Sequence, residues 1–87
     1  MIIAITNAIE QRNRVSFKYK VEIYVLGINI VGALAIRAYD LNEKKFKLFF
    51  VDLIDNLRII MWSKFYINRP NYNPYSDSYF MGVICKI

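Results

Sequence analysis

The side chains in this sequence that could do chemistry are cations and aromatic rings at alternate positions of short apolar stretches. The cations are Lys18, Arg37 and Lys47, and the rings are Tyr24 and Tyr39. Cationic side chains neutralise phosphate groups, and rings on the surface of a sheet stack on bases. The pattern therefore favours a site for an anionic ligand, either a nucleotide or a nucleic acid, if the strands bring these five residues together.

The same residues also have an ordinary structural explanation. Lysine is common on the solvent faces of amphipathic strands, and the two tyrosines could equally lie at the edge of a core with the hydroxyl at its rim. The spacing leaves open whether the pair Lys18 and Lys20 meets the pair Lys45 and Lys47. Arg37, which lies two residues before Tyr39, and Lys47 are the better candidates among the cations. A guanidinium presents a fork that suits phosphate, so Lys47 would bind phosphate less specifically than Arg37.

The residues that most catalytic sites need are missing. The chain has no histidine and a single cysteine, Cys85. Zinc usually needs four nitrogen, sulfur or oxygen ligands, and a thiol nucleophile needs a base to activate it. Asp52 stands in the apolar run LFFVDLI without a second acid or base at a recognisable spacing, which indicates a structural carboxylate. We therefore expect a non-enzymatic protein without metal or cofactor.

Length, charge and composition are typical of one small domain with anionic partners. The chain has 87 residues and a net charge of +5. A lone cysteine and the lack of a signal-peptide pattern favour a reducing compartment. The uncharged stretch between Glu22 and Arg37 is fourteen residues long, whereas a spanning helix needs about 20. We expect a cytoplasmic protein that does not enter a membrane.

Hydrophobic periodicity predicts one helix followed by short strands. Apolar residues at helical spacing indicate a helix over 2–13, and strict alternation over 15–25 predicts either one long bent strand or two strands joined by a sharp corner. In that alternation Val21, Ile23 and Val25 share the apolar face. Gly27 and Gly32 are expected to bracket a turn. Further strands are predicted at 33–39, at 46–51, within DLIDNLRII and at MGVICKI, where a helix capped by Ser76 or Asp77 is the alternative.

A change of composition at Trp62 divides the sequence. Residues 1–61 are predicted to form the helix and a small five-stranded barrel, since a short sheet on a thin core tends to curl and remove its exposed edges. Residues 62–87 are predicted to be an extension that packs on the same domain or on a partner subunit. Because interfaces favour tyrosine and tryptophan, we expect an oligomer. The aromatic residues of this tail are Trp62, Phe65, Tyr66, Tyr72, Tyr75, Tyr79 and Phe80.

The succession AIEQRNRVSFKYK, VEIYVLG, GALAIRAYD and FKLFFVDLID resembles the WYL domain family over about residues 5–60. In that family a helix precedes a small SH3/Sm-like β-barrel, and a motif V-E-P-Y-x-L-G is followed by a strand that ends in a Tyr-Asp pair. The resemblance implies a mainly β fold with a five-stranded barrel of this kind. The matching residues are Val21, Glu22, Tyr24, Leu26, Gly27, Tyr39 and Asp40.

The resemblance also implies a function, and the sequence departs from the family at several positions that serve it. Such domains bind nucleic acids or nucleotide-like ligands through basic and aromatic positions and regulate attached domains, and short stand-alone versions are similar to those of phages. Here Leu34 to Ile36 replace the naming Trp-Tyr-Leu, and Lys47 replaces an arginine of the last motif. Phe50 and Leu53 replace two more arginines.

These departures leave two functions open. The first is a regulatory module that binds nucleic acid or a nucleotide. The alternative is a protein-interaction module, a phage-type inhibitor or adaptor, that acts through its aromatic tail on a host or phage protein. In either case the resemblance places the protein in the cytoplasm, that of the host cell if a phage encodes it.

Overall fold

The computed structural model describes residues 1–72 and 80–87 and forms one sheet with a helix packed on it. Tyr75, Ser76, Asp77 and Tyr79, which entered the predictions for the tail, lie outside the described residues. The elements are helix α1 (Ile2–Gln11), strands β1 (Asn13–Ser16), β2 (Lys20–Asn29), β3 (Leu34–Asp40) and β4 (Lys45–Phe50), a short 3-10 helix (Val51–Leu53), and strands β5 (Arg58–Lys64) and β6 (Phe80–Lys86).

Strand β2 is the centre of the sheet. The antiparallel order is β4-β3-β2-β1-β5, and β6 pairs with the second part of β2, beyond the part that pairs with β1. The predicted mainly β class with one helix is confirmed, and so is the strand at MGVICKI. The described residues form six strands rather than five, and the sheet is not closed, so the predicted barrel is not confirmed.

The alternating stretch at 15–25 forms two strands joined by a sharp corner, which is why the strand count exceeds the prediction. β1 ends at Ser16 and β2 begins at Lys20. At the corner between them, the backbone N–H of Phe17 donates to the carbonyl oxygen of Tyr19 at 3.0 Å. Alternation predicts which residues share a face, but it does not reveal that the strand turns back on itself.

A bulge in β2 changes which residues face the main core. Ile23 pairs with Ala38 and Val25 with Arg37, so Tyr24 is an extra residue without a counterpart on β3. The predicted alternation put Val25 on the face of Val21 and Ile23, and this is wrong. After the bulge Leu26 takes that face, and Val25 joins Tyr24 on the other.

The bulge leaves β2 buried on both faces, between two hydrophobic clusters. The main cluster packs the apolar face of α1 against the sheet, and each fully buried aliphatic side chain there stabilises the fold by about 1.5–3 kcal/mol. The smaller cluster on the opposite face is aromatic. The main cluster contains Ile5, Ala8, Ile9, Val15, Val21, Ile23, Leu26, Ile36, Ala38, Val51 and Ile54, and the smaller contains Tyr24, Val25, Tyr39 and Phe65.

The two glycines that were expected to bracket a turn have different roles. Gly32 lies in the turn, with a φ of 84° that favours glycine, and the Asn29 side chain accepts hydrogen bonds from the backbone of Val31 and Ala33. Gly27 lies inside β2 instead, because β2 continues to Asn29. It allows β6 to approach closely.

The sequence also predicted that an extension begins at Trp62 and that the protein does not enter a membrane. Trp62, where the predicted extension begins, lies within β5, and β6 pairs with β2 in the middle of the sheet. Within residues 1–72 and 80–87, no helix is long and apolar enough to span a bilayer.

Gly27→Ala should destabilise the fold by about 1–3 kcal/mol, because a Cβ there would collide with the carbonyl oxygen of Gly82 and lie 2.8 Å from a ring carbon of Phe80. Gly82→Ala is the matched control, since a Cβ on Gly82 has no neighbour within 4 Å. Urea unfolding followed by circular dichroism measures both variants. Equal stabilities would contradict the close approach of β6 to β2.

Candidate functional site

The five predicted site residues fall into two groups. Lys18 and Lys47 meet at one ring, with their Nζ atoms 5.8 Å and 4.8 Å from the centroid of Tyr19. Arg37, Tyr24 and Tyr39 meet at a different ring, that of Phe46. The groups separate because Phe46 and Lys47 are consecutive on β4, and consecutive residues of a strand point to opposite faces.

The Lys47 ammonium is held by carboxylates of the same protein. Its Nζ donates to Oδ2 of Asp40 at 2.8 Å and also pairs with Glu43. Asp40 is fully buried, and the hydrogen bond from Lys47 holds the pKa of its carboxyl below the usual 3.8. Lys47 therefore anchors the turn after β3 instead of presenting a free charge, whereas Lys18 lies exposed on the corner.

The second group belongs to the aromatic cluster. The ring of Tyr24 lies 5.2 Å from that of Phe46, and the ring of Tyr39 lies 5.3 Å from it. The Arg37 guanidinium carbon lies 5.5 Å from the same ring. Tyr24 is 0 % exposed, so in this conformation it offers no face to a base.

Burial raises the pKa of Tyr24 to about 12, so its phenol stays protonated at neutral pH. The hydroxyl donates to Oε1 of Glu22 at 3.2 Å, and it accepts from the backbone N–H of Arg69 at 3.2 Å. Tyr24 thus ties the chain near Arg69 to the buried face of β2. The structural explanation given above placed the hydroxyl at the rim of a core, whereas the structure buries Tyr24 with its hydroxyl.

A buried carboxylate, Glu22, lies at the centre of a group of arginines that the sequence did not single out. Nε of Arg14 donates to Oε2 of Glu22 at 2.9 Å. Arg69 binds the same carboxylate with two donors, Nε to Oε1 at 2.9 Å and Nη2 to Oε2 at 3.0 Å. Glu22 is only 1 % exposed. We call Arg12, Arg14 and Arg69 the arginine cluster.

Hydrogen bonds from the arginines determine the charge state of Glu22. Burial by itself raises the pKa of this carboxyl, but the hydrogen bonds from Arg69 and Arg14 lower it by more, so the pKa lies below the usual 4.5. The hydrogen bond to Glu22 likewise raises the pKa of Arg69. Glu22 is therefore ionised at neutral pH and fixes two guanidinium groups in place.

Aromatic rings also contact the guanidinium groups of the arginine cluster. The guanidinium carbon of Arg69 lies 4.3 Å from the ring centroid of Tyr39. Those of Arg12 and Arg14 lie 5.4 Å and 5.9 Å from the ring of Phe65. Arg12 also donates to Oδ1 of Asn68 at 2.7 Å. Ring contacts restrict the motion of all three side chains, together with the Glu22 carboxylate for Arg14 and Arg69 and with Asn68 for Arg12.

A pocket of about 440 Å³ opens beside the arginine cluster. Arg14, Lys64 and Arg69 give its wall three cations, against the single carboxylate of Glu22. Tyr66, which is 79 % exposed, adds an accessible ring. The other lining residues are Phe65, Ile67, Asn68 and Pro70. The pocket combines a positive wall with an aromatic ring, which suits an anion attached to a flat group.

Glu22 offered a sequence signal for this site. A carboxylate in the apolar stretch after Lys20 must find a partner if it is buried, and Arg12 and Arg14 stand nearby in the chain. Nothing in the sequence points to Arg69, which is 47 positions away from Glu22.

Comparison with protein-family models, with curated proteins and with solved structures finds no match to this chain.

Glu22→Gln should lower the free energy of unfolding at pH 7 by about 2–4 kcal/mol, because it leaves two arginines without their counter-charge. The folded-state pKa of Glu22 lies below 4.5, so its contribution is present above about pH 4.5 and is lost as the pH falls further. The wild type should therefore lose more stability than the variant on acidification, as chemical unfolding at pH 7 and pH 3 would measure.

Asp52→Asn is the matched control for this experiment, because Asp52 is an exposed carboxylate. It should leave the stability at pH 7 within about 0.5 kcal/mol of wild type. If Glu22→Gln were as stable as Asp52→Asn, the ion pairs of Glu22 would not hold the fold together.

Proposed function

We propose that this protein binds a phosphate-bearing ligand, a nucleotide or a nucleic acid, in the pocket beside the arginine cluster. The observation that carries this proposal is that one buried carboxylate holds Arg14 and Arg69 at the wall of an open, positively charged pocket. A guanidinium has five N–H donors, and Glu22 engages two from Arg69 and one from Arg14. Nη1 of Arg14 also donates to the hydroxyl of Ser63 and to the carbonyl oxygen of Lys64. Within the described residues, Nη2 of Arg14 and Nη1 of Arg69 therefore keep donors for a ligand.

The fixed geometry of these arginines supports phosphate as the ligand group. Guanidinium forks match phosphate oxygens, and such charge-assisted hydrogen bonds are about twice as strong as neutral ones. Because Glu22 and the ring of Tyr39 already restrain Arg69, binding orders little that is not ordered beforehand. The exposed ring of Tyr66 would stack on a base.

In this proposal part of the predicted site is replaced. Tyr39 keeps a role, as the ring beneath Arg69. Arg37 lies on the same aromatic cluster, next to Phe46. Lys18 and Lys47 lie around Tyr19 and take no part, and Tyr24 supports Glu22 from within the fold.

The resemblance to the WYL family supports the same proposal. A helix followed by antiparallel strands is the order that the family implies. Glu22 and Tyr24, which match the motif V-E-P-Y-x-L-G, lie next to the arginine cluster. On this basis the sheet is an open variant of the SH3/Sm-like barrel, and the protein is a non-enzymatic regulatory module of phage type that acts in the cytoplasm.

Substitutions at the pocket test the proposal without disturbing the core. Lys64→Gln and Tyr66→Ala should each weaken binding of a fluorescein-labelled single-stranded oligonucleotide about tenfold, because the first removes a charge and the second a stacking ring. Fluorescence anisotropy at several salt concentrations measures the affinity, and the salt dependence should be shallower for Lys64→Gln than for wild type.

Lys44→Gln is the matched control, because Lys44 is an exposed cation on the turn before β4. It lowers the net charge by the same amount as Lys64→Gln and should leave the affinity within about twofold. Equal losses from both variants would mean that binding follows overall charge, and the proposed pocket would be wrong.

A second candidate function, protein interaction, is favoured by the exposure of Trp62. Asn13 pairs with Lys64 and Val15 with Ile59, so residues 60–63 form a wide bulge against β1. Trp62 on this bulge is 87 % exposed, and Ile67 is 84 % exposed. Tryptophan is enriched among the residues that dominate binding energy at interfaces, so this protruding side chain suits contact with a second subunit.

The double variant Trp62→Ser and Ile67→Ser tests this candidate by light scattering. If the bulge joins two copies, the wild type at high concentration should show about twice the chain mass of 10.3 kDa, and the double variant should show the chain mass. Val31→Ser, at an exposed position of another turn, is the control and should behave as wild type. A wild type of single-chain mass at every concentration would contradict a self-association role.

A further inference from the structure

A second pocket, unrelated to the arginine cluster, lies between the corner after β1 and the end of β4. Its volume is about 400 Å³, at the lower end of the range of about 300–1,000 Å³ for small-molecule sites. No residue of its lining also lines the pocket at Arg69. Its lining includes Phe17, Lys18, Tyr19, Phe49 and Asp55.

Aromatic rings form a fixed wall in this pocket. The ring of Phe49 lies 5.2 Å from that of Phe17 and 5.4 Å from that of Tyr19. Phe17 and Tyr19 meet edge to face at 5.9 Å. These three side chains pack against the main hydrophobic cluster, so the wall is present without a ligand. An apolar group of a few carbon atoms, aromatic or branched, suits this interior.

Two side chains of opposite charge complete the lining. Lys18 and Asp55 are both exposed, and within residues 1–72 and 80–87 neither takes part in an ion pair or a side-chain hydrogen bond. The Lys18 Nζ atom lies 5.8 Å from the ring centroid of Tyr19. An apolar pocket that carries one positive and one negative group, neither of them neutralised, is complementary to a small molecule with both charges and an apolar tail.

We propose that this pocket binds a free α-amino acid with an apolar side chain. Its carboxylate would pair with the Lys18 ammonium and its ammonium with the Asp55 carboxylate. Its side chain would lie against the rings of Phe17, Tyr19 and Phe49. A plain hydrocarbon would leave both charges unused, and a fatty or aromatic acid would leave Asp55 without a partner and place a second negative charge near it. The zwitterion satisfies both groups at once.

Isothermal titration calorimetry of the full chain with three related compounds tests this proposal. L-phenylalanine has both charges, 3-phenylpropionate lacks the ammonium, and 2-phenylethylamine lacks the carboxylate. We expect L-phenylalanine to bind about tenfold more tightly than either of the others, because each analogue loses one charge-assisted hydrogen bond. Absence of binding by L-phenylalanine at millimolar concentration, or equal affinity for the three compounds, would overturn the proposal.

Two variants test whether Lys18 pairs with the carboxylate of the ligand and Asp55 with its ammonium. Lys18→Gln should abolish the preference for L-phenylalanine over 2-phenylethylamine, and Asp55→Asn should abolish its preference over 3-phenylpropionate. Both positions are exposed, so neither variant should fail to fold. Lys44→Gln and Asp52→Asn remove the same charges outside the pocket and should preserve both preferences. Preferences that survive in the Lys18 and Asp55 variants would place the ligand elsewhere.

The proposals for the two sites can be tested independently of each other. Lys64→Gln should weaken oligonucleotide binding and leave the affinity for L-phenylalanine unchanged. Lys18→Gln should have the opposite pattern. Loss of both ligands in either variant would mean that the pockets are not separate sites.

Discussion

The structure depends on the ionised carboxylate of Glu22, which is buried near the start of β2 between two guanidinium groups. An unpaired charge at this depth would cost several kcal/mol, so the chain must bring cations to it. Arg14 comes from the neighbouring strand β1, and Arg69 comes from the segment after β5. That segment covers the aromatic face of the sheet, and the hydroxyl of Tyr24 ties it down. The ion pairs of Glu22 thus hold this segment against the smaller hydrophobic cluster.

This interaction links stability to the proposed function. The arginines make burial of this carboxylate tolerable, and the carboxylate fixes their guanidinium groups at the wall of a pocket. A protein that binds phosphate with preorganised donors loses less conformational entropy than one that must order lysine side chains on the surface. Lys18, which is exposed on a corner, is a lysine of this second kind. In the two proposals, the pocket beside the arginine cluster takes a phosphate and the pocket at Phe49 takes a small zwitterion.

The sequence predicted the elements better than it predicted the faces. The alternation of residues 33–39 and 46–51 corresponds to β3 and β4, and helical spacing over residues 2–13 corresponds to α1, which ends at Gln11. Face assignment failed at Val25, because one extra residue in β2 reverses the alternation beyond it. The five predicted site residues divide into two groups for a related reason. Lys47 was chosen because it stands at an arginine of the family motif, but Lys47 and Phe46, the neighbour of Tyr39, point to opposite faces of β4.

The sequence by itself determined the mainly β class, the helix before the strands, the excess of positive charge and the lack of histidine. These properties follow from composition and from periodicity over a few residues, which a single stretch of chain contains. Only the tertiary structure decided that Tyr24 is buried, that the sheet stays open, and that Arg69 reaches Glu22 from 47 positions away. Such features depend on strand register, on a bulge and on the path of a connecting segment, and their energies come from contacts between distant parts of the chain.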